Sequence, residues 1–334
     1  MRKIFAMILT LSTLLAACAA PQATEPVQSQ PVKNPPAARE LTTIRLAVIP
    51  VIDTLPMFVA EAEGLYEAYG LKVEFVPVAS APERDQILAA GQADGTLNEA
   101  LSVMFFNKDQ IQMQVVRYGH MAAPGAGHFF ILASGQSGIT DVAGLKDVEI
   151  GISQGTIIEY VTDRLLEKEG LSASQIKNIS VPKIPDRMAL LGSGELKAAV
   201  MPDPLAALAV QQGAVIVLDD TQYPLYGAST ISFRKEFIDA NPTAVRAFLV
   251  AIEDAVKLIN SQPEKYSNLL AEKQLVPQPL LGSYVIPTFP TLGVPSEAEW
   301  RDILRWAKSK GLLEKDLPYA ESVTDQYLPP FIIE

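Results

Sequence analysis

From Thr43 to Phe233 short β-branched runs alternate with amphipathic stretches of helical period, and this rhythm restricts the chain to an α/β architecture. Residues 44–49 read as a strand. Residues 56–69 follow with apolar side chains at helical spacing, and Pro56 suits a first helical turn. A strand at 72–78 and a helix at 82–90 repeat the unit, and strands continue at 112–117 and 128–133. Beyond the loop-forming residues 133–138, strands are expected at 148–152, 178–181, 197–200 and 214–218, with helices at 156–169 and 187–191. Strands separated by helices of this size imply mainly parallel sheets covered on both faces.

After a last apolar run at 228–233 the chain turns helical through 242–259, 264–273 and 297–310. A helical tail with no strands of its own has to cover a sheet made earlier. It is therefore expected to pack back on the first lobe. Lobe one is then discontinuous (43–132 plus 228–334) and lobe two an insert (133–227), with crossings near His128 to Ala133 and Ala228 to Phe233. With about half its residues apolar, the chain is long enough for two medium cores.

The first residues state an address. Arg2 and Lys3, an apolar run over 4–15 and the sequence Leu15-Ala16-Ala17-Cys18 form a lipoprotein export signal, too short to span a bilayer. Cleavage after residue 17 leaves Cys18, the only cysteine, to carry lipid, and excludes an intrachain disulfide or a cysteine-rich metal site. Residues 18–42 contain Pro21, Pro26, Pro31, Pro35 and Pro36 and no aromatic residue, so they read as an extended tether of roughly 3 Å per residue, reaching up to about 70 Å. The expected location is the extracytoplasmic face of a membrane. The net charge of −11, made more negative by removal of Arg2 and Lys3, argues against a nucleic-acid partner.

No catalytic constellation is apparent. His120 and His128 are the only histidines and lie in no HExxH pattern, so both read as structural. The run Gly125-Ala126-Gly127-His128 is not a dinucleotide fingerprint, no phosphate loop is present, and neither Gly135-Gln136-Ser137-Gly138 nor Gly192-Ser193-Gly194 makes a nucleophile elbow. Neither an enzyme activity nor a cofactor or metal is expected.

Polar turns do fall where C-terminal strand ends meet helix starts, the edge at which open α/β sheets bind ligands. Asp53 and Thr54 follow the first strand, and either cap the helix at Pro56 or touch a ligand. Asn98 and Glu99 end a short strand and either start a helix or face the cleft. Ser153, Gln154, Gly155 and Thr156 join a strand to a long helix as a cap or as oxygen-binding N–H groups. Asp203 stands between two prolines as a turn former or ligand contact. Tyr118 and Tyr226, near strand ends, serve as core or as stacking platforms.

The stretches 63–75 (EGLYEAYGLKVEF), 87–94 (ILAAGQAD), Gly144-Leu145-Lys146 with Ile150-Gly151-Ile152, 232–242 (SFRKEFIDANP) and 306–313 (WAKSKGLL) resemble the substrate-binding proteins of ABC importers for nitrate, taurine, alkanesulfonates and thiamine precursors. The resemblance runs from about Ile44 to the end. It implies a two-lobed type II periplasmic-binding fold with a hinge of two crossings, closing as a monomer over a small molecule and presenting it to a permease and its ATPase. It also implies that Asp53, Thr54, Asn98, Glu99, Ser153 to Thr156 and Asp203 line the cleft, with Tyr118 and Tyr226 beside it. Acidic Asp53, Glu99 and Asp203 in these turns favour a ligand with N–H donors, such as a thiamine-precursor pyrimidine stacked on a tyrosine. Sulfonate, taurine or nitrate is the alternative, since helix N-termini bind anions and Arg117 or Arg187, turned inward, would reverse the argument. A pyrimidine-precursor synthase-like enzyme and a receptor-coupled sensor are the competing classes, and the export signal disfavours the synthase.

Overall fold

The computed structural model describes residues 41–330. The export signal, Cys18 and nearly all of the expected tether lie outside the described residues. Ten strands are described: β1 (Thr42–Val48), β2 (Leu71–Pro77), β3 (Gly95–Asn98), β4 (Met113–Tyr118), β5 (Phe129–Ala133), β6 (Glu149–Ile152), β7 (Lys177–Ser180), β8 (Ala198–Pro202), β9 (Val215–Asp219) and β10 (Thr230–Arg234). They form two five-stranded sheets, ordered β2-β1-β3-β10-β4 and β7-β6-β8-β5-β9.

Both sheets are mixed. β1 pairs parallel with β2 and β3, whereas β10 runs antiparallel to β3 and β4; β6 pairs parallel with β7 and β8, whereas β5 runs antiparallel to β8 and β9. The cause is the crossing itself. A chain that leaves one sheet at the C-terminal ends of its parallel strands enters the other sheet at the same edge, so the entering strand must run backwards. Residues 128–133 and 228–233, expected as crossings, are largely β5 and β10, and the connections are 119–128 and 220–229. These two segments are pinned together at both ends. Gly119 N–H donates to Ser229 O (2.7 Å) and Ser229 N–H to His120 O (2.8 Å). At the far end Asp220 Oδ1 accepts from the N–H groups of His128 (2.8 Å) and Phe129 (3.1 Å).

The helices around the first sheet are α1 (Leu55–Ala62), α2 (Leu65–Ala68), α3 (Ala81–Ala89) and α4 (Ala100–Asn107), and those around the second are α5 (Ile157–Lys168), α6 (Ile184–Ser193) and α7 (Leu205–Gln211). The single helix expected over 56–69 is broken, because Gly64 takes a left-handed conformation (φ +67°) that ends α1 and starts α2 at a new angle. The C-terminal tail supplies α8 (Lys235–Ala240), α9 (Pro242–Ser261), α10 (Ser267–Glu272), α11 (Glu297–Ser309) and α12 (Tyr319–Ser322). The apolar face of α9 buries Val245, Phe248, Leu249, Ile252 and Val256 in the cluster that also holds Leu55, Val59 and Tyr66. Each such side chain contributes on the order of 1.5–3 kcal/mol.

The tail is not confined to the first sheet's helices. α11 shares a core with Val103 and Met104 of α4 and with Val161 and Leu165 of α5. On the α5 side Asp302 accepts from Tyr160 Oη (2.9 Å) and Arg164 Nε (2.8 Å), and Trp306 Nε1 donates to Asp163 (2.8 Å). α11 thus packs on α4 of the first sheet and on α5 of the second, its amphipathic surface having two partners.

Candidate functional site

The C-terminal ends of the parallel strands carry the groups of interest. The turn after β1 buries Asp53 and Thr54 without a side-chain cap; Thr54 Oγ1 instead donates to Val51 O (2.6 Å). Asp53 Oδ2 lies 3.3 Å from Nε2 of His128, which sits at the end of a crossing segment. Burial opposes both charges, but their mutual attraction and hydrogen bond outweigh it: His128 is pulled up to about 9 and Asp53 falls well below the carboxylate range. The pair is thus ionised at neutral pH. His120, 4.9 Å from His128 between ring centroids, is pushed down to about 4 by burial and by the neighbouring His128 charge, and stays neutral.

Asp203 follows β8, and its N–H donates to His128 O (2.9 Å). Its carboxylate accepts a short hydrogen bond from the hydroxyl of Tyr284, a residue of the tail. Burial, reinforced by the charge of Asp53, raises Asp203 to about 6. Glu99, at the start of α4, accepts from Arg84 Nη1 (3.4 Å); burial pushes its carboxyl up, and the charges of Asp85 and Asp53 act the same way. Arg84 is buried between Asp85 (2.8 Å) and Ser102 (2.8 Å). Asn98, at the end of β3, accepts through Oδ1 from Ser232 (2.7 Å) and Thr230 (3.0 Å), while its Nδ2 has no partner among the described residues.

In the turn after β6, Thr156 Oγ1 caps α5 by accepting from Ile158 N–H (3.2 Å), and Gly155 N–H donates to Glu159 (2.7 Å), so these groups serve the helix start. Gln154 is exposed. Ser153 Oγ donates to Pro182 O (3.1 Å) and accepts from Nη1 of Arg187 (3.3 Å). Arg187, on α6, is fully buried, and its Nε and Nη2 have no hydrogen-bond partner among the described residues. Burial alone lowers it, to about 10, so the guanidinium remains charged at neutral pH. The stem of Arg187 runs beside Gly151 of β6. A Cβ there would stand in ordinary contact with Cγ (3.4 Å) and Cδ (3.5 Å) of Arg187, whereas Leu196 Cδ1 would lie only 2.7 Å away.

Asp53, Glu99 and Asp203 therefore share one electrostatic neighbourhood with His120, His128 and Tyr284. Tyr118 and Tyr226 do not join it. Tyr118 Oη donates to Glu299 on α11 (2.6 Å), and Tyr226 packs edge-on against Tyr160 and alongside Tyr223. Arg117 is spent as well, on Glu253 (2.6 Å) and Pro290 O (2.7 Å). The sequence reading took His120 and His128 as structural and passed over Tyr284, while it named Arg187 only as a side chain that would matter if turned inward.

A family description, NMT1-like, matches residues 37–271. The chain belongs to the NMT1-like family. That span covers every residue of the neighbourhood except Tyr284, and it stops short of α11. A protein of Escherichia coli strain K12 described as a candidate aliphatic sulfonates-binding protein is 29% identical over 170 residues, which is 51% of this chain and 53% of the relative, so the chain matches about half the length of that curated relative. Among solved structures, the alkanesulfonate-binding protein SsuA from Xanthomonas axonopodis pv. citri, bound to MOPS, superposes with a TM-score of 0.71 at 17% identity over 85% of this chain and 99% of that one. The periplasmic nitrate-binding protein NrtA from Synechocystis PCC 6803 gives 0.68 at 17% identity over 87% and 88%. This NMT1-like chain thus has the two-lobed periplasmic-binding fold.

Proposed function

We propose that the protein is the solute-binding component of an ABC importer, held at the extracytoplasmic face of a membrane by lipid on Cys18, and that it captures a small oxyanion of the alkanesulfonate class between its lobes. The observation that carries the anionic reading is the inventory of buried polar groups at the rims. Each carboxylate already has a donor: His128 for Asp53, Tyr284 for Asp203, Arg84 for Glu99. Among the described residues Asn98 Nδ2 and Arg187 Nε and Nη2 are donors left without acceptors, while the unpartnered acceptors are Asp220 Oδ2, at the start of a crossing, and Asn178 Oδ1, on β7. A buried donor with no acceptor costs free energy until something supplies one, and a ligand rich in acceptor oxygens does so. The names of the E. coli and Xanthomonas relatives, both sulfonate binders, support the same class.

The nitrogen-heterocycle reading rested on free acidic acceptors and on stacking against Tyr118 or Tyr226. Both supports are weakened, the first by the donors just named and the second by Glu299 and Tyr160. A thermal-shift screen against alkanesulfonates, taurine, nitrate, aminopyrimidines and polyamines tests the choice, because a ligand at a hundred times its Kd adds ~2.7 kcal/mol of stability. Shifts confined to the sulfonates, taurine and nitrate are expected. A shift with an aminopyrimidine alone would restore the heterocycle reading.

A further inference from the structure

We propose that Arg187 is the residue that receives the anion, and that it does so side-on, through Nε–H and Nη2–H, against two oxygens of one oxyanion group. This rests on the anionic reading above and adds the residue and geometry. Of the guanidinium's donors, only Nη1 is engaged, by Ser153 Oγ at 3.3 Å. The two nitrogens left without partners, Nε and Nη2, carry the N–H bonds that lie parallel along one edge of the guanidinium plane. That edge matches the oxygen spacing of a sulfonate, a carboxylate or a nitrate.

Two features hold the edge in place. The side-chain stem runs at ordinary contact distance alongside Gly151 of β6. The Ser153 contact fixes the guanidinium at the end of β6, where the turn into α5 begins. Arg117, equally buried, is fully engaged by Glu253 and backbone carbonyls, so burial of an arginine in this protein does not by itself leave donors open. No carboxylate is within salt-bridge distance of Arg187 among the described residues. Burying a cation without a partner is costly, and a ligand that completes it gains the charge-assisted bonds and removes that cost together.

The test is titration calorimetry of the full chain with ethanesulfonate and with nitrate, on the wild type and on R187M and R187K, with the melting temperature of each ligand-free variant recorded. R187M keeps the stem and removes the donors. It is expected to weaken both ligands by at least ~30-fold, the loss of charge-assisted hydrogen bonds, while its ligand-free melting temperature stays level or rises. R187K keeps the charge but not the paired edge, and is expected to remain at least ~10-fold weaker than wild type. Wild-type binding with R187M within threefold of it would overturn the assignment of Arg187 and leave the anionic reading standing. R187K equal to wild type would overturn the side-on geometry. A ligand-free R187M melting well below wild type would show the guanidinium to be a structural cation. Failure of the wild type to bind either probe would remove the anionic reading and this inference with it.

Discussion

Two histidine rings with centroids 4.9 Å apart are both pushed down by burial, and only one has a carboxylate close enough to reverse it. His128 has Asp53 at 3.3 Å and rises to about 9, whereas His120 has no direct carboxylate partner and falls to about 4. The linkage to stability follows in sign. His128 is raised above its unfolded value of about 6.5, so its contribution is full below that pH and is lost as pH climbs through 9. His120 is depressed, so stability is lost as pH falls from about 6.5 toward 4. Asp53, also depressed, keeps its contribution above about 3.9 and loses it in stronger acid. Urea denaturation across pH should show an alkaline limb descending from about 6.5 to 9 and a shallower acid limb, because Asp203, raised to about 6, gains stability over much of the range in which His120 loses it. H120Q should flatten the acid limb and leave the alkaline one. H128Q should flatten the alkaline limb and cost roughly 3–5 kcal/mol at pH 7, because it strands a buried carboxylate. An alkaline limb unchanged in H128Q would show that the pair is not ionised in the folded protein. Asp203 gives the reverse case, an acid raised to about 6, so that stability is lost as pH rises from about 3.9 to about 6 and stays lower above that. D203N, which removes the charge and keeps an acceptor for Tyr284, should raise ligand-free stability by about 2 kcal/mol at pH 7 and by little at pH 4, read from the same denaturation series.

The elements show what periodicity can and cannot reveal. Most strands and the longer helices were legible, because alternating burial in β2 and the 3.6-residue face of α9 leave patterns in the sequence, whereas the short helices α7, α8 and α12 were not. The break at Gly64 was not, since a glycine inside an apolar helical pattern reads equally as a tolerated interruption. G64A should cost ~1 kcal/mol in chemical denaturation, as a Cβ is strained at φ +67° even though open space surrounds it. The direction of β5 and β10 was equally hidden, because it follows from the edge by which the chain enters each sheet and not from any residue of the strand. α11 is started by a capping box, with Ser296 and Glu299 satisfying each other's backbone N–H groups. S296A should cost ~1 kcal/mol. An unchanged denaturation midpoint in S296A would mean that the packing of Trp300 and Trp306, not the cap, fixes where this helix begins. Among the site residues, the turns after β1, β3, β6 and β8 were readable from strand-to-helix spacing. Which side chains in them are already spoken for was not, because the partners Tyr284, His128 and Arg84 come from elsewhere in the chain.

At the scale of the molecule, two sheets joined by a paired double crossing make a hinge, and a ligand favours closure only through contacts that it makes better in the closed form. One polar contact already spans the lobes, Tyr284 with Asp203, His128 ties a crossing segment to Asp53, and α11 bridges α4 to α5. The closed arrangement is therefore partly prepared by the chain itself. On the proposed anionic reading, the ligand supplies acceptors to donors that closure buries. Small-angle scattering of the full chain, with and without saturating ethanesulfonate, measures this most directly. The account predicts a smaller radius of gyration with the sulfonate and no change with an aminopyrimidine at the same concentration. Contraction with the aminopyrimidine and none with the sulfonate would contradict it.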